Sequence, residues 1–282
     1  MTDHPHHHRH HRHHSEETAV TTFDTPGPIT ADIDVVAGGL QITASDRTDT
    51  AVSVRPLDPG KDADVRAADQ VQVDCSGGRL TVATQKSGLG RMLQKGMVDI
   101  TVELPAGSHL QVRADFVNVR GEGLLGGARV RLSTGNVLLD RLAGKAEITT
   151  GTGRIRVQEM DGTAALKTTT GTITVGTATG SLHMASATGD LTADRVLDSV
   201  EAKAAHGNIL LGEAVRGRVD LRSSYGELEV GIRSGTAAWI DAASEHGTVR
   251  SSLEEADGPE SSEDTVEVHA RARFGDVVVR RA

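Results

Sequence analysis

The chain has 282 residues, with 30 basic side chains against 39 acidic ones and a formal charge of −9. That balance disfavours nonspecific nucleic-acid binding, which needs a clustered cationic face. A single cysteine, Cys75, rules out an intramolecular disulfide and a zinc site built from several thiolates.

Three Phe, one Trp and one Tyr leave the interior to Val, Leu, Ile, Ala and Thr, side chains that suit a thin, layered core. No run of about 18 apolar residues is present, so no membrane span is expected. The N-terminal stretch has no apolar h-region, so the expectation is a cytoplasmic chain without a secretory leader.

Residues 1–17 (MTDHPHHHRHHRHHSEE) are low-complexity and predict a disordered His-rich tail. Eight of the 13 histidines lie there. Of these, His6, His7, His8, His10, His11, His13 and His14 are the candidate metal ligands, since imidazole at this density holds zinc, nickel or copper. Adventitious zinc or nickel is the only cofactor this tail implies. The plainer alternative is a solvated tail that becomes cationic below about pH 6.5.

Residues 18–115 predict short, irregular strands. Ile29, Ala31, Ile33 and Val35 alternate, Gly38 and Gly39 turn the chain, and Leu40 and Ile42 continue. Further alternations lie at Val52/Val54, Val71/Val73, Leu80/Val82 and Val98 to Leu104. This region predicts a β cap continuous with the repeats C-terminal to it, because a repeat stack needs an atypical end. Between its strands, QKSGLGRMLQKGM at 85–97 reads as a surface loop. A phosphate-binding role lacks the strand–loop–helix context and spacing it would need.

From residue 116 to 282 the pattern is periodic. Gly135, Gly153, Gly171, Gly189 and Gly207 stand 18 residues apart, with Gly126, Gly144, Gly162 and Gly180 midway. Alternating apolar residues come after each of the first set, at Val137/Leu139, Ile155/Val157, Ile173/Val175 and Leu191, then Ile209/Leu211. The predicted fold is all-β: a β-solenoid, a flattened β-helix or roll of about 18 residues per coil, with a less regular N-terminal β cap. Nine copies at about 4.8 Å give a body of roughly 43 Å.

Other dry positions should be Leu142, Ala146, Ile148, Met160, Ala164, Leu166, Leu182 and Met184. A sandwich of antiparallel hairpins is the competing architecture. Constancy of spacing favours stacking, since hairpin loops have no reason to keep one length. The register later slips, with Gly226, Gly247 and Gly275 spaced 19, 21 and 28 residues from their predecessors, and 253–264 reads as an inserted acidic loop.

The residue before each glycine forms a column: Phe116, Thr134, Thr152, Thr170, Thr188, His206, Tyr225, His246 and Phe274. It reads as side-chain stacking, with His206 and His246 flanking Tyr225, rather than a catalytic or ligand-facing row. The residue after the glycine is Asp190, Glu227 or Asp276 in three copies and Asn118, Asn136, Arg154, Thr172, Asn208 or Thr248 in others. That mixture reads as a solvated corner. Carboxylates are too sparse for the calcium cages of β-rolls, and a polysaccharide-cleaving β-helix would need several of them converging on one sugar.

Several stretches carry a family likeness: FDTPGPITADIDVVAGGLQITASDRTDTAVSVRP at 23–56, VDITVELPAGSHLQV at 98–112, the STGNVLL, TTGTITV and SATGDLT copies, EVGIRSGTAAWIDAASEHGTV at 229–249 and TVEVHARARFGDVVVRR at 265–281. On these the chain resembles a bacterial family of β-strand-repeat domains of unknown function labelled "putative adhesin". The resemblance implies a β-solenoid-like fold and no established reaction.

The expected role is therefore a non-enzymatic scaffold that binds a protein partner or a second copy through its face or end. No nucleic acid, catalytic residue or obligate cofactor is expected. A carbohydrate-binding or carbohydrate-active β-helix is one alternative, and metal binding through the His-rich tail is another.

Overall fold

The computed structural model describes residues 20–84, 96–253 and 264–282. Its N-terminal part runs β1 (Val20–Asp24), β2 (Thr30–Ser45), β3 (Asp49–Pro56), α1 (Asp62–Asp69), β4 (Val71–Ser76), β5 (Arg79–Thr84), β6 (Val98–Pro105) and β7 (His109–Leu125). Strand pairs come next, one pair per coil: β8 and β9 (Gly127–Thr134, Val137–Leu142), β10 and β11 (Ala146–Thr152, Ile155–Met160), β12 and β13 (Ala164–Thr170, Ile173–Ala178), and β14 and β15 (Leu182–Thr188, Leu191–Val196). The remaining pairs are β16 and β17 (Val200–His206, Ile209–Ala214), β18 and β19 (Gly217–Tyr225, Leu228–Ile232), β20 and β21 (Ala237–His246, Val249–Ser251), and β22 and β23 (Thr265–Phe274, Val277–Arg281).

These pairs stack in parallel, so the molecule is the expected β-solenoid. Ile155 lies between Val137 and Ile173, and Ile148 between Val130 and Leu166. Like residues therefore meet like, eighteen apart. Alternation sends every second side chain inward. Leu142, Ala146, Ile148, Met160, Ala164, Leu166, Leu182 and Met184 are all at most 2% exposed, as are Ile155, Val157, Ile173 and Val175. The core is one thin aliphatic layer between two parallel sheets.

The corners explain the spacing. At Gly153 φ is +150°, and a Cβ there would lie 2.0 Å from the carbonyl oxygen of Gly135 in the neighbouring coil. Only glycine meets both conditions. Polar groups of several corners are then satisfied by two rows that cross between coils. Thr150, Ser186, Ser223 and Ser244 donate their hydroxyls to the carbonyls of Gly135, Gly171, Gly207 and Gly275 at 2.7–3.2 Å.

On the outside, side-chain oxygens of Asn118, Asn136, Asp190, Asn208 and Asp276 accept the backbone N–H of Asn136, Arg154, Asn208, Glu227 and Thr248 at 2.8–3.0 Å. The position after the glycine is thus a partial Asx ladder rather than merely a solvated corner. Asp and Asn recur there because they present an acceptor at short reach.

Stacking does not keep chain order at the C-terminal end. β22 and β23 pair with β18 and β19, and β20 and β21 lie outside them. The glycine column therefore runs Gly207, Gly226, Gly275, Gly247, each corner closing on the carbonyl of its neighbour. This corrects the expected order of rings: Tyr225 lies between His206 and Phe274, and His246 is outermost.

At the other end β2 and β7 are long bent strands that serve both sheets and pair with each other from Thr30↔His109 to Ala44↔Gly123. Beyond β2, one sheet continues through β6, then β3 and β1, which run antiparallel; the other continues through β5 and antiparallel β4. Helix α1 was not signalled by the alternation. It is anchored by the buried Asp64 carboxylate, which accepts the N–H groups of Met97 (2.9 Å) and Asp58 (3.1 Å). This end is closed, with Val52, Leu80, Val82 and Ile100 at most 1% exposed.

Two substitutions test the stacking. Ile155→Ala should lower unfolding free energy in urea by about 2–4 kcal/mol, since a fully buried rung loses its filling. Gly153→Ala should cost at least about 2 kcal/mol in the same titration. Gly235→Ala, at φ +83° but with no atom within 4 Å of the added Cβ, should cost clearly less. Equal losses at the two glycines would contradict the corner argument.

Candidate interaction surface

Side chains on the outward faces also form columns, and most charges in them pair along or across rungs. Glu147 binds Arg129 and Arg131 at 3.3 and 3.2 Å, and Arg131 foremost holds its carboxyl below the usual carboxylate range. Glu201 bridges His183 (2.8 Å) and Lys203, while Asp220 takes Arg222 at 3.0 Å. A shallow groove of about 330 Å³ runs beside them, lined by Ala164, Leu182, His183, Glu201, Arg218 and Asp220. Its two carboxylates occupy adjacent rungs, but each is turned to cations of its own face rather than to a shared point where a sugar would sit.

The corner acids do not converge either. Asp190 and Asp276 are engaged by backbone N–H groups, and the hydrogen bonds from Thr248 hold the Asp276 carboxyl below the usual range. Glu227, on the next rung from Asn208, receives the Asn208 oxygen at its own N–H. Cys75 is half-buried in β4, and desolvation pushes its thiol up, away from the reactive thiolate.

The threonine column Thr134, Thr152, Thr170 and Thr188 is exposed, in register from rung to rung. It continues into four stacked rings. Centroids of His206, Tyr225, Phe274 and His246 are 4.8, 4.8 and 4.6 Å apart, with interplanar angles of 8°, 5° and 15°. Each such pair is worth about 0.5–1.5 kcal/mol. Apart from the outer face of His246, the rings use their faces within the column and present edges to solvent, so the column is a brace rather than a lateral platform for a flat ligand.

The C-terminal end differs from the rest. β20 is a ten-residue edge strand whose inward side chains Ala238, Ile240 and Ala242 are only partly buried. Trp239 is 57% and Val249 47% exposed. Long apolar edges of this kind are templates for pairing. Nothing in the repeat pattern indicated this edge, because the sequence does not say which coil is last.

The proposed tail ligands His6, His7, His8, His10, His11, His13 and His14 lie outside the described residues, as does 85–95 of the basic loop and 254–263 of the acidic one. Among the described residues no group of three or more His, Cys, Asp or Glu is arranged to hold a metal ion, and no helix is long and apolar enough to cross a membrane.

Comparison with solved structures finds similarity to a putative adhesin from Bacteroides fragilis NCTC 9343, at 16% identity over 94% of this chain and 98% of that one, with a TM-score of 0.43. A putative lipid binding protein from Parabacteroides distasonis ATCC 8503 matches at 12% identity over 95% and 98%, TM-score 0.35. A putative cell adhesion protein from Clostridium sporogenes ATCC 15579 matches at 10% over 94% and 100%, TM-score 0.23. No curated protein matches. The family model described as Toastrack DUF4097 spans residues 31–279, nearly the whole solenoid with its cap, and the chain belongs to that family.

Proposed function

We propose that this chain is a non-enzymatic interaction scaffold, a stiff β-solenoid whose open C-terminal end receives a protein. One observation carries the reading. Asp190, Asp276, His183, Glu201 and Asp220 are each engaged by a backbone N–H or an ion pair rather than aimed at a common point, whereas the backbone and apolar side chains of the last coil have no neighbour beyond them among the described residues. Catalysis needs convergence of groups on one reacting atom; a scaffold needs only a surface held still. The side faces, neutralised by ion pairs, contribute little affinity of their own, since exposed pairs are worth about 0–1 kcal/mol. Partly buried apolar groups at the end have more to gain by being covered.

The reading is checked by two parallel assays on the full chain. Sedimentation and affinity capture at micromolar concentration should show either self-association or a retained partner, and Val249→Lys at the open end should weaken it. A panel of acidic polysaccharides should show no release of reducing ends. Turnover abolished by Glu201→Gln or Glu227→Gln would replace the scaffold with a carbohydrate-active enzyme, and a strict monomer that retains nothing would remove it.

A further inference from the structure

The open end also indicates what kind of protein fits it, and this step rests on the scaffold reading above. We propose that the occupant is a second copy of the same chain, docked end to end across a two-fold axis so that the two β20 strands pair antiparallel.

The backbone is set for it. Ala237 donates its N–H to the carbonyl of Asp264 at 2.9 Å, so the odd-numbered residues of β20 turn their polar groups toward β22. Ala238, Ile240, Ala242 and Ser244 turn theirs to the open edge, the arrangement any added strand requires, and the two-fold axis makes that strand antiparallel. The same four side chains point inward. Pairing two such edges therefore continues the aliphatic layer from one body into the other and covers Ile240, Ala242 and Val249 at once.

Charge permits the approach of identical ends. Asp241 is held by Arg271, Glu245 by Arg273 at 3.5 Å, and Arg250 by Asp276 at 3.4 Å. These three charges of the last coil are thus neutralised by the coil beneath it, and a copy brings the same balanced surface. Among the described residues of this end, a partner of strong single-sign charge would find no complement. The outer ring of the aromatic column, His246, presents its free face in the same direction.

Closure comes from the difference between the two ends. The N-terminal end is finished by α1 and short antiparallel edges, β1 of five residues and β4 of six. A head-to-tail contact would generate a fibre, but among the described residues the C-terminal end alone offers a long edge strand over a partly covered apolar layer, so the contact is isologous and stops at two chains.

The experiment uses full-length protein with Cys75→Ser as background, at micromolar concentration. Light scattering should give a two-chain mass. Val249→Lys places two like charges in the contact and should raise the dimer dissociation constant roughly tenfold or more, with a monomeric far-ultraviolet circular dichroism spectrum unchanged at high dilution as the control for folding. A single cysteine introduced as Ala243→Cys, on the exposed face of β20, should be joined to its copy by a flexible bis-maleimide cross-linker, whereas Thr22→Cys in β1 should not. A dimer that ignores Val249→Lys, or that cross-links at residue 22 instead of 243, overturns the proposal. A monomer that retains a different protein, lost with Val249→Lys, also overturns it while leaving the scaffold reading intact. A monomer that retains nothing removes both.

Discussion

From Gly135 to Gly207 each coil lies on its neighbour at a corner that carries no side chain. The carbonyl oxygen of Gly135 occupies the space a Cβ on Gly153 would take, and the same contact recurs at Gly171, Gly189 and Gly207. This steric condition fixes the register of corner on corner, because a corner one residue early or late would place a side chain against a carbonyl. It would also turn every inward residue of the following strand outward. Hydroxyls inside the corner and Asx oxygens outside it then satisfy the backbone groups that the turn leaves over. Strand, corner and core are consequences of one spacing.

A stack built in this way is held by nearest neighbours, and the nearest neighbour need not be the next in sequence. The last two coils show it. Val266, Val268, Ala270, Ala272, Val277 and Val279 of the β22 and β23 coil are all at most 5% exposed in the sandwiched place. The coil of β20 and β21 offers Ala238, Ile240, Ala242 and Ser244 on one strand and a three-residue second strand. Placing the more apolar coil inside and the poorer one at the end removes more apolar surface from water than the sequential order would. The segment 252–264 is long enough in sequence to let the chain make that exchange.

Legibility in the sequence was governed by the same physics. Residues such as Ile155, Ile173, Leu166 and Met184 were legible as core because translation along the stack repeats their environment. The ladders at Asn136, Asp190 and Asn208 were harder to read. Their function lies between coils, and the residue type varies from corner to corner. Helix α1 was not visible, since DADVRAAD has no sustained apolar face and depends on Asp64 receiving two backbone donors from distant positions. The exchange of the last coils could not be read from spacing: 19, 21 and 28 residues look like irregular insertions until the partner of each strand is known. The candidate surface is created by that exchange, and so was hidden with it.

The two ends of such a stack are not equivalent in stability. Interior coils gain from a neighbour on either side, whereas a terminal coil gains from one, so local opening begins at a terminus unless something covers it. At the N-terminal end the chain supplies its own cover, through antiparallel β3, β1 and β4 and the α1 helix, and the residues beneath are dry. At the C-terminal end the four-ring column and the ion pairs of Asp241, Glu245 and Arg250 tie the last coil down to the one below. These contacts sit on its outer side, and the inward side chains remain half covered. The coil is therefore held in place without being finished. A surface that keeps a fixed shape while retaining partly covered apolar groups and an edge strand with no further strand beside it among the described residues is the combination that association can improve without first ordering the chain, which is where preorganised contacts gain their affinity.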